Sequence, residues 1–100
     1  REPTTEHISP ETPTFNFPAY NFNNKSEHLK IINTLGNLTL LEEPINKAIK
    51  NRTPNAKANS YQKSKIKNTR EIGHAVKLET FKKNNALERT HKIIEFCKKR

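Results

Sequence analysis

Glu6 and His7 stand side by side, Asn37 follows Gly36, and Asn46 comes nine residues after Asn37. An acid beside an imidazole, followed by two carboxamides, is a set of side chains able to hydrolyse a phosphate ester. That reaction needs a base to activate water and positive charge on the departing oxygen. A neutral imidazole near pH 7 is a natural base. A hard cation such as Mg²⁺ prefers oxygen ligands and keeps several waters. One carboxylate and one carboxamide oxygen, with phosphate and waters, would suffice to hold it.

Each residue also has a plainer reading. His7 is the candidate base; otherwise it is a partly exposed strand histidine. Glu6 directly precedes it, so in a strand the two side chains point to opposite faces. A bulge or strand end must then bring both to one cleft. Asn37 is the candidate structural asparagine, its amide bonding backbone groups across a loop and fixing the spacing of two strands. Otherwise it is an ordinary turn residue after Gly36. Asn46 is the candidate second metal ligand, on the first turn of a helix; otherwise it caps that helix or faces solvent, and Asn51 is its rival. Singly, the plainer readings are favoured. Their order and the strand-then-helix setting reverse that.

The elements that must position these residues can be traced along the chain. Residues 1–5 read as a lead-in and residues 6–10 as a short strand ended by a turn at Pro10. Residues 11–25 hold Pro13 and Pro18 among alternating Phe and Asn, a loop by breaker content whose aromatics must be buried somewhere. Ser26-Glu27 is a helix start, and Leu29, Ile31, Ile32 and Leu35 form a short amphipathic helix ended by Gly36. Leu38–Leu41 is a strand. Pro44 suits the first turn of the next helix, where its missing N–H does no harm; that helix carries Ile45, Asn46, Ala48 and Ile49. A basic helix follows from about Ala56 to Ile66 with Tyr61 inward. The rest reads as two helices broken near Lys82 to Asn85. Strand, loop, strand, helix is the minimal scaffold of a ββα-metal site, so the expected fold class is α+β with additional C-terminal helices.

Composition sets the bounds. One hundred residues make one small domain or part of a longer chain, and Arg1 in place of Met suggests an excised segment. Apolar residues are 31%, which limits the core. The net charge of +9 is uneven: residues 1–43 carry three basic residues against six glutamates, and residues 44–100 carry sixteen against four. Such a split points to a polyanion-binding half joined to a site-bearing half, with nucleic acid the first candidate. There is no Asp, so every acidic role falls to Glu. Cys97 is the one cysteine, which excludes an internal disulfide and a Cys-x-x-Cys zinc pair. A reduced, cytoplasmic setting is the default expectation. No apolar run approaches the ~18–20 residues of a membrane span, and no signal peptide is evident.

The strings Glu6-His7-Ile8-x-Pro10 and Leu35-Gly36-Asn37-Leu38-Thr39-Leu40-Leu41, followed by Asn46, Asn51, Lys57, Tyr61 and Ser64, closely resemble the GmrSD-type HNH endonuclease domain. That domain often lies at the C-terminal end of bacterial defence proteins, behind an NTPase-like domain resembling ParB. The resemblance covers residues 5–66 firmly, with a weaker echo at Glu88-Arg89 and the apolar residues beyond. It implies a ββα-metal (HNH) core over about 5–66 and a helical extension over about 69–100 within a single domain, 1–100. His7 takes the general-base position and Asn37 the middle asparagine. Glu6 and Asn46 take the metal positions, for one Mg²⁺ or Mn²⁺ per site. Lys57 matches a position that could contact phosphate, and Tyr61 one that suits the core. The loop 11–25 departs most, lacking an expected tryptophan.

The function expected on this basis is metal-dependent hydrolysis of DNA in bacterial anti-phage restriction, with an upstream NTPase-like domain or subunit as partner and no membrane. Lys47, Lys50, Arg52, Lys63, Lys65 and Lys67 would hold the DNA backbone by charge without reading bases, joined by Lys57. The alternative is a catalytically inactive, basic nucleic-acid-binding module. A structural or toxin-like RNA-binding protein is a third reading, disfavoured by the few aromatics beside the basic residues after position 50.

Overall fold

The computed structural model describes residues 3–13, 15–78 and 80–99, with only the backbone of Leu78; Arg1 and Glu2 of the expected lead-in lie outside the described residues. The chain is α+β. Strand β1 (Thr4–His7) pairs antiparallel with β2 (Leu38–Leu41) in the register Thr4–Leu41, Thr5–Leu40, Glu6–Thr39 and His7–Leu38. The first strand therefore lies earlier than the expected 6–10. Its continuation turns away, and Ile8 keeps one link to the second strand's lead-in, donating its N–H to the Asn37 carbonyl at 2.8 Å. Alternation places Thr4, Glu6, Thr39 and Leu41 on one face and Thr5, His7, Leu38 and Leu40 on the other. Glu6, Thr39 and Leu41 are buried, whereas Thr5 and Leu40 are exposed. A hairpin this short is marginal alone; the helices must hold it.

Five helices do so. Helix α1 (Lys25–Ile31) begins where the Asn24 side chain accepts the Glu27 N–H. It ends before Gly36, earlier than its apolar spacing suggests, because residues 35–37 form a separate 3-10 turn. Helix α2 (Glu43–Ile49) follows β2 directly with Pro44 in its first turn. Helix α3 (Pro54–Gln62) is capped by the Thr53 hydroxyl, which accepts from Ala56 N–H. It stops short of Ile66. Helices α4 (Lys67–Leu78) and α5 (Lys83–Lys98) complete the chain.

The chain has two glycines, and both mark close approaches. A Cβ on Gly36 would lie 1.9 Å from the Ala86 carbonyl oxygen on α5, and one on Gly73 would lie 2.9 Å from the Ala58 carbonyl oxygen on α3. These approaches let α5 seat on the turn before β2 and α4 close against α3. On α5, Thr90 accepts the Gly36 N–H at 2.7 Å and Arg89 donates to the carbonyls of Leu35, Gly36 and Leu38. The C-terminal helices are thus built into the fold. Ile72 and Val76 of α4, Phe81 of the segment between the two helices and Ala86 of α5 share one core with Ile8, Leu41, Ile49, Ala58 and Tyr61.

The aromatics of the 11–25 loop form a second cluster. Phe22 meets the His28 ring edge-on at 4.8 Å, Phe17 lies 5.3 Å from it, and Phe15 stacks on Tyr20 at 4.1 Å. His28 is buried within this group, and burial lowers its pKa. The loop contains a 3-10 turn at Phe17–Tyr20.

Candidate active site

His7 and Glu6 point to opposite faces of β1, as adjacent strand residues must. The His7 ring lies on the outer face. Its Nε2 is 2.9 Å from the Asn33 side-chain oxygen, and its Nδ1 is 3.6 Å from the Glu11 carboxylate. The ring is only partly covered, with 18% of the side chain exposed, so solvent reaches it.

Glu6 lies on the inner face and is buried. Its Oε2 receives the Tyr61 hydroxyl at 2.6 Å and the Lys57 ammonium at 2.9 Å. Lys57 is fully enclosed, and its Nζ also donates to the His7 carbonyl at 2.6 Å and approaches that of Ile8 at 3.4 Å. Burial pulls the Lys57 pKa down, while the Glu6 charge works the other way. Burial and then the same Glu6 charge hold the Tyr61 hydroxyl well above the ordinary phenol value. Both donors thus converge on one oxygen of the Glu6 carboxylate.

Asn37 is fully buried. Its Oδ1 accepts the Ser9 N–H at 2.8 Å, and its Nδ2 donates to the carbonyls of Ser9 and Ile32, both at 2.9 Å. The amide thereby ties the segment after β1 to the end of α1. This is backbone bridging across the loop, with every bond enclosed.

Asn46 lies beneath the start of β1. Its Nδ2 donates to the Thr4 hydroxyl at 2.7 Å and the Thr5 carbonyl at 3.1 Å. Beside it, Thr4, Glu43, Asn46, Lys47 and Lys50 line an open cavity of about 350 Å³. Lys50 closes α2 at φ 37°, ψ −118°, a backbone conformation that glycine adopts more readily than lysine. Asn51, the rival to Asn46, instead accepts the Thr12 N–H at 3.4 Å.

The structure therefore sorts the four expected residues into three settings: His7 outward, Glu6 and Asn37 inward in separate bonding groups, Asn46 at a cavity. No group of three or more His, Cys, Asp or Glu able to hold a metal occurs among the described residues. The donor pair expected for Mg²⁺, one carboxylate and one carboxamide, is nonetheless chemically suited to a hard cation. The amide nitrogen of Asn46 is turned to the strand.

Of the expected DNA-binding residues, Lys47, Lys50, Arg52, Lys63, Lys65 and Lys67 are exposed. Lys57 is the exception: an ammonium enclosed by Glu6 and two carbonyls has no reach to a phosphate. The helical spacing carried a signal for this. Lys57 and Tyr61 are four apart on α3, so an inward Tyr61 brings Lys57 to the same face. Ser64, unassigned from sequence, donates to Glu42 at 2.6 Å; that bond and one from the Lys65 N–H hold the Glu42 carboxyl below its usual range. Nothing in the sequence marks Asn33 or Glu11 as neighbours of His7.

Among the described residues no helix is long and apolar enough to cross a membrane. Neither the curated proteins nor the solved structures contain a match to this chain. Residues 1–96 match the family described as GmrSD restriction endonucleases, C-terminal domain. The chain belongs to this C-terminal domain family of the GmrSD restriction endonucleases.

Proposed function

We propose that this domain is a metal-dependent HNH endonuclease that hydrolyses DNA phosphodiester bonds in bacterial defence. The observation that carries the reading is His7: a partly exposed imidazole held by Asn33 on one edge, on a strand whose backbone is clamped by Lys57 and Asn37. An imidazole so held takes a proton from water, and the resulting hydroxide attacks phosphorus in line. Glu6 and Asn46 would hold one Mg²⁺ or Mn²⁺, which when bound supplies positive charge for the phosphate and the leaving oxygen. This requires the end of β1 to turn so that Glu6, on the inner face, and His7, on the outer, reach one cleft. Lys57 and Tyr61 both bond Oε2, so Oε1 is the oxygen with which Glu6 would hold the cation. Lys47 and Lys50, lining the cavity beside Asn46, steady the DNA backbone there. Arg52, Lys63, Lys65 and Lys67 extend that hold, and an NTPase-like partner supplies recognition and activation in the cytoplasm.

The test is plasmid cleavage with Mn²⁺. His7→Ala is expected to abolish cleavage while DNA binding stays near wild type; unchanged cleavage would remove His7 from the chemistry. Nicked against linear product reports the number of strands cut. One observation favours a second reading, a basic nucleic-acid-binding module without catalysis: Glu6 already has a counter-ion inside the protein. That module would bind DNA in a salt-dependent way and show no cleavage at any Mg²⁺ or Mn²⁺ concentration.

A further inference from the structure

We infer that Asn33 is the positioning residue of His7, choosing which ring nitrogen acts as the base. This rests on the reading of His7 as the base. Asn33 Oδ1 lies 2.9 Å from His7 Nε2. A carboxamide oxygen only accepts, so Nε2 carries the hydrogen, and in the neutral ring the lone pair resides on Nδ1. The bond fixes both the tautomer and the orientation of the ring.

The fold supports this bond from both sides. Asn33 sits in the turn after α1, between two carbonyls that Asn37 occupies: its side chain donates to Ile32 and its backbone N–H to Thr34, at 2.9 and 3.0 Å. The same Asn37 side chain bonds both backbone groups of Ser9, two residues after His7. One buried amide thus sets the separation of the two segments that carry the imidazole and its acceptor. The Thr34 hydroxyl pins the turn further, donating to the Ile31 carbonyl at 2.7 Å. The charged groups facing His7 are Glu11, 3.6 Å from Nδ1, and Lys57, on the backbone carbonyl. Glu11 draws the proton toward Nδ1 and so competes with Asn33 for the tautomer, but at 3.6 Å it is the more distant acceptor, against 2.9 Å for Asn33.

Asn33 is exposed, so its replacement leaves the core untouched. The experiment compares wild type, Asn33→Ala and Asn33→Asp by ¹⁵N NMR of the His7 ring at a pH where it is neutral, and by plasmid cleavage with Mn²⁺. The wild-type ring is expected in the Nε2–H form. Asn33→Ala loses that preference and lowers kcat roughly 10- to 100-fold, the cost of losing a partner that orients a working imidazole, with KM little changed. Asn33→Asp, which retains an acceptor oxygen, restores the tautomer and most of kcat. An Asn33→Ala protein with the wild-type tautomer or wild-type kcat overturns the assignment. The ring signature needs no turnover, so a failure of the base reading, seen as cleavage by His7→Ala, is told apart from a failure of this one.

Discussion

Lys57 shows how much a single side chain can differ from its apparent chemistry. In the sequence it is one of sixteen basic residues in the C-terminal part, and phosphate is the obvious partner. In the fold its ammonium is enclosed, paired with Glu6 and bonded to the carbonyls of His7 and Ile8. Removing one member of a buried ion pair strands the other charge, which costs about 3–5 kcal/mol. Lys57→Met is therefore expected to lower stability in urea by that order. The double variant Glu6→Gln, Lys57→Met should recover part of the loss, because no charge then remains buried. Equal losses in the single and double variants would show that Glu6 does not depend on Lys57. The positions of Asn37 and Tyr61 were easier to read, since a carboxamide after a turn and an aromatic on a helix have few low-energy places to go.

At the scale of elements, the turn at residues 35–37 organises the site. It delivers Asn37 to the interior, starts β2 and receives α5. Its glycine is required by contact, since a Cβ there would lie 1.9 Å from a backbone oxygen of α5. Gly36→Ala is expected to displace α5 and cost about 3 kcal/mol, the upper range for overpacking a core. A thermal melt checks it; a melting temperature matching wild type would mean that α5 seats elsewhere. The strand at 38–41 and the helix after Pro44 were legible from their apolar spacing and breakers. The boundaries of α1 and α3 were not, because side-chain hydrogen bonds, local at the end of α1 and long-range after α3, accompany each early end. Ile32 gives its carbonyl to the Asn37 side chain, and Ser64 turns to Glu42.

Over the whole molecule, charge and burial divide the work. The basic excess lies after residue 43, and six of the seven basic residues expected to contact DNA are exposed on α2, α4 and the segments flanking α3. Each phosphate neutralised contributes roughly −0.9 to the slope of log K against log salt on duplex DNA. Lys47→Ala and Lys50→Ala together are expected to flatten that slope by about 2, with weaker binding at every sequence tested. Fluorescence anisotropy across a salt series measures it. An unchanged slope would take the cavity beside Asn46 out of the DNA path. The C-terminal helices belong to this whole-molecule scale as well, since their apolar faces complete the core shared with Ile8, just after β1, and Leu41 of β2.

The sequence by itself determined the family and its two most specific strings, the α+β class, the basic half and the candidacy of His7, Asn37 and Asn46. These depend on residue type, order and local periodicity, which the linear chain carries in full. Only the tertiary structure decided what each side chain meets. It turned Glu6 to a buried lysine and tyrosine, removed Lys57 from the surface and brought Asn33 to the histidine. Those pairings join residues 26 to 55 positions apart, and separation along a chain says nothing about which atoms the packed core will bring within bonding distance.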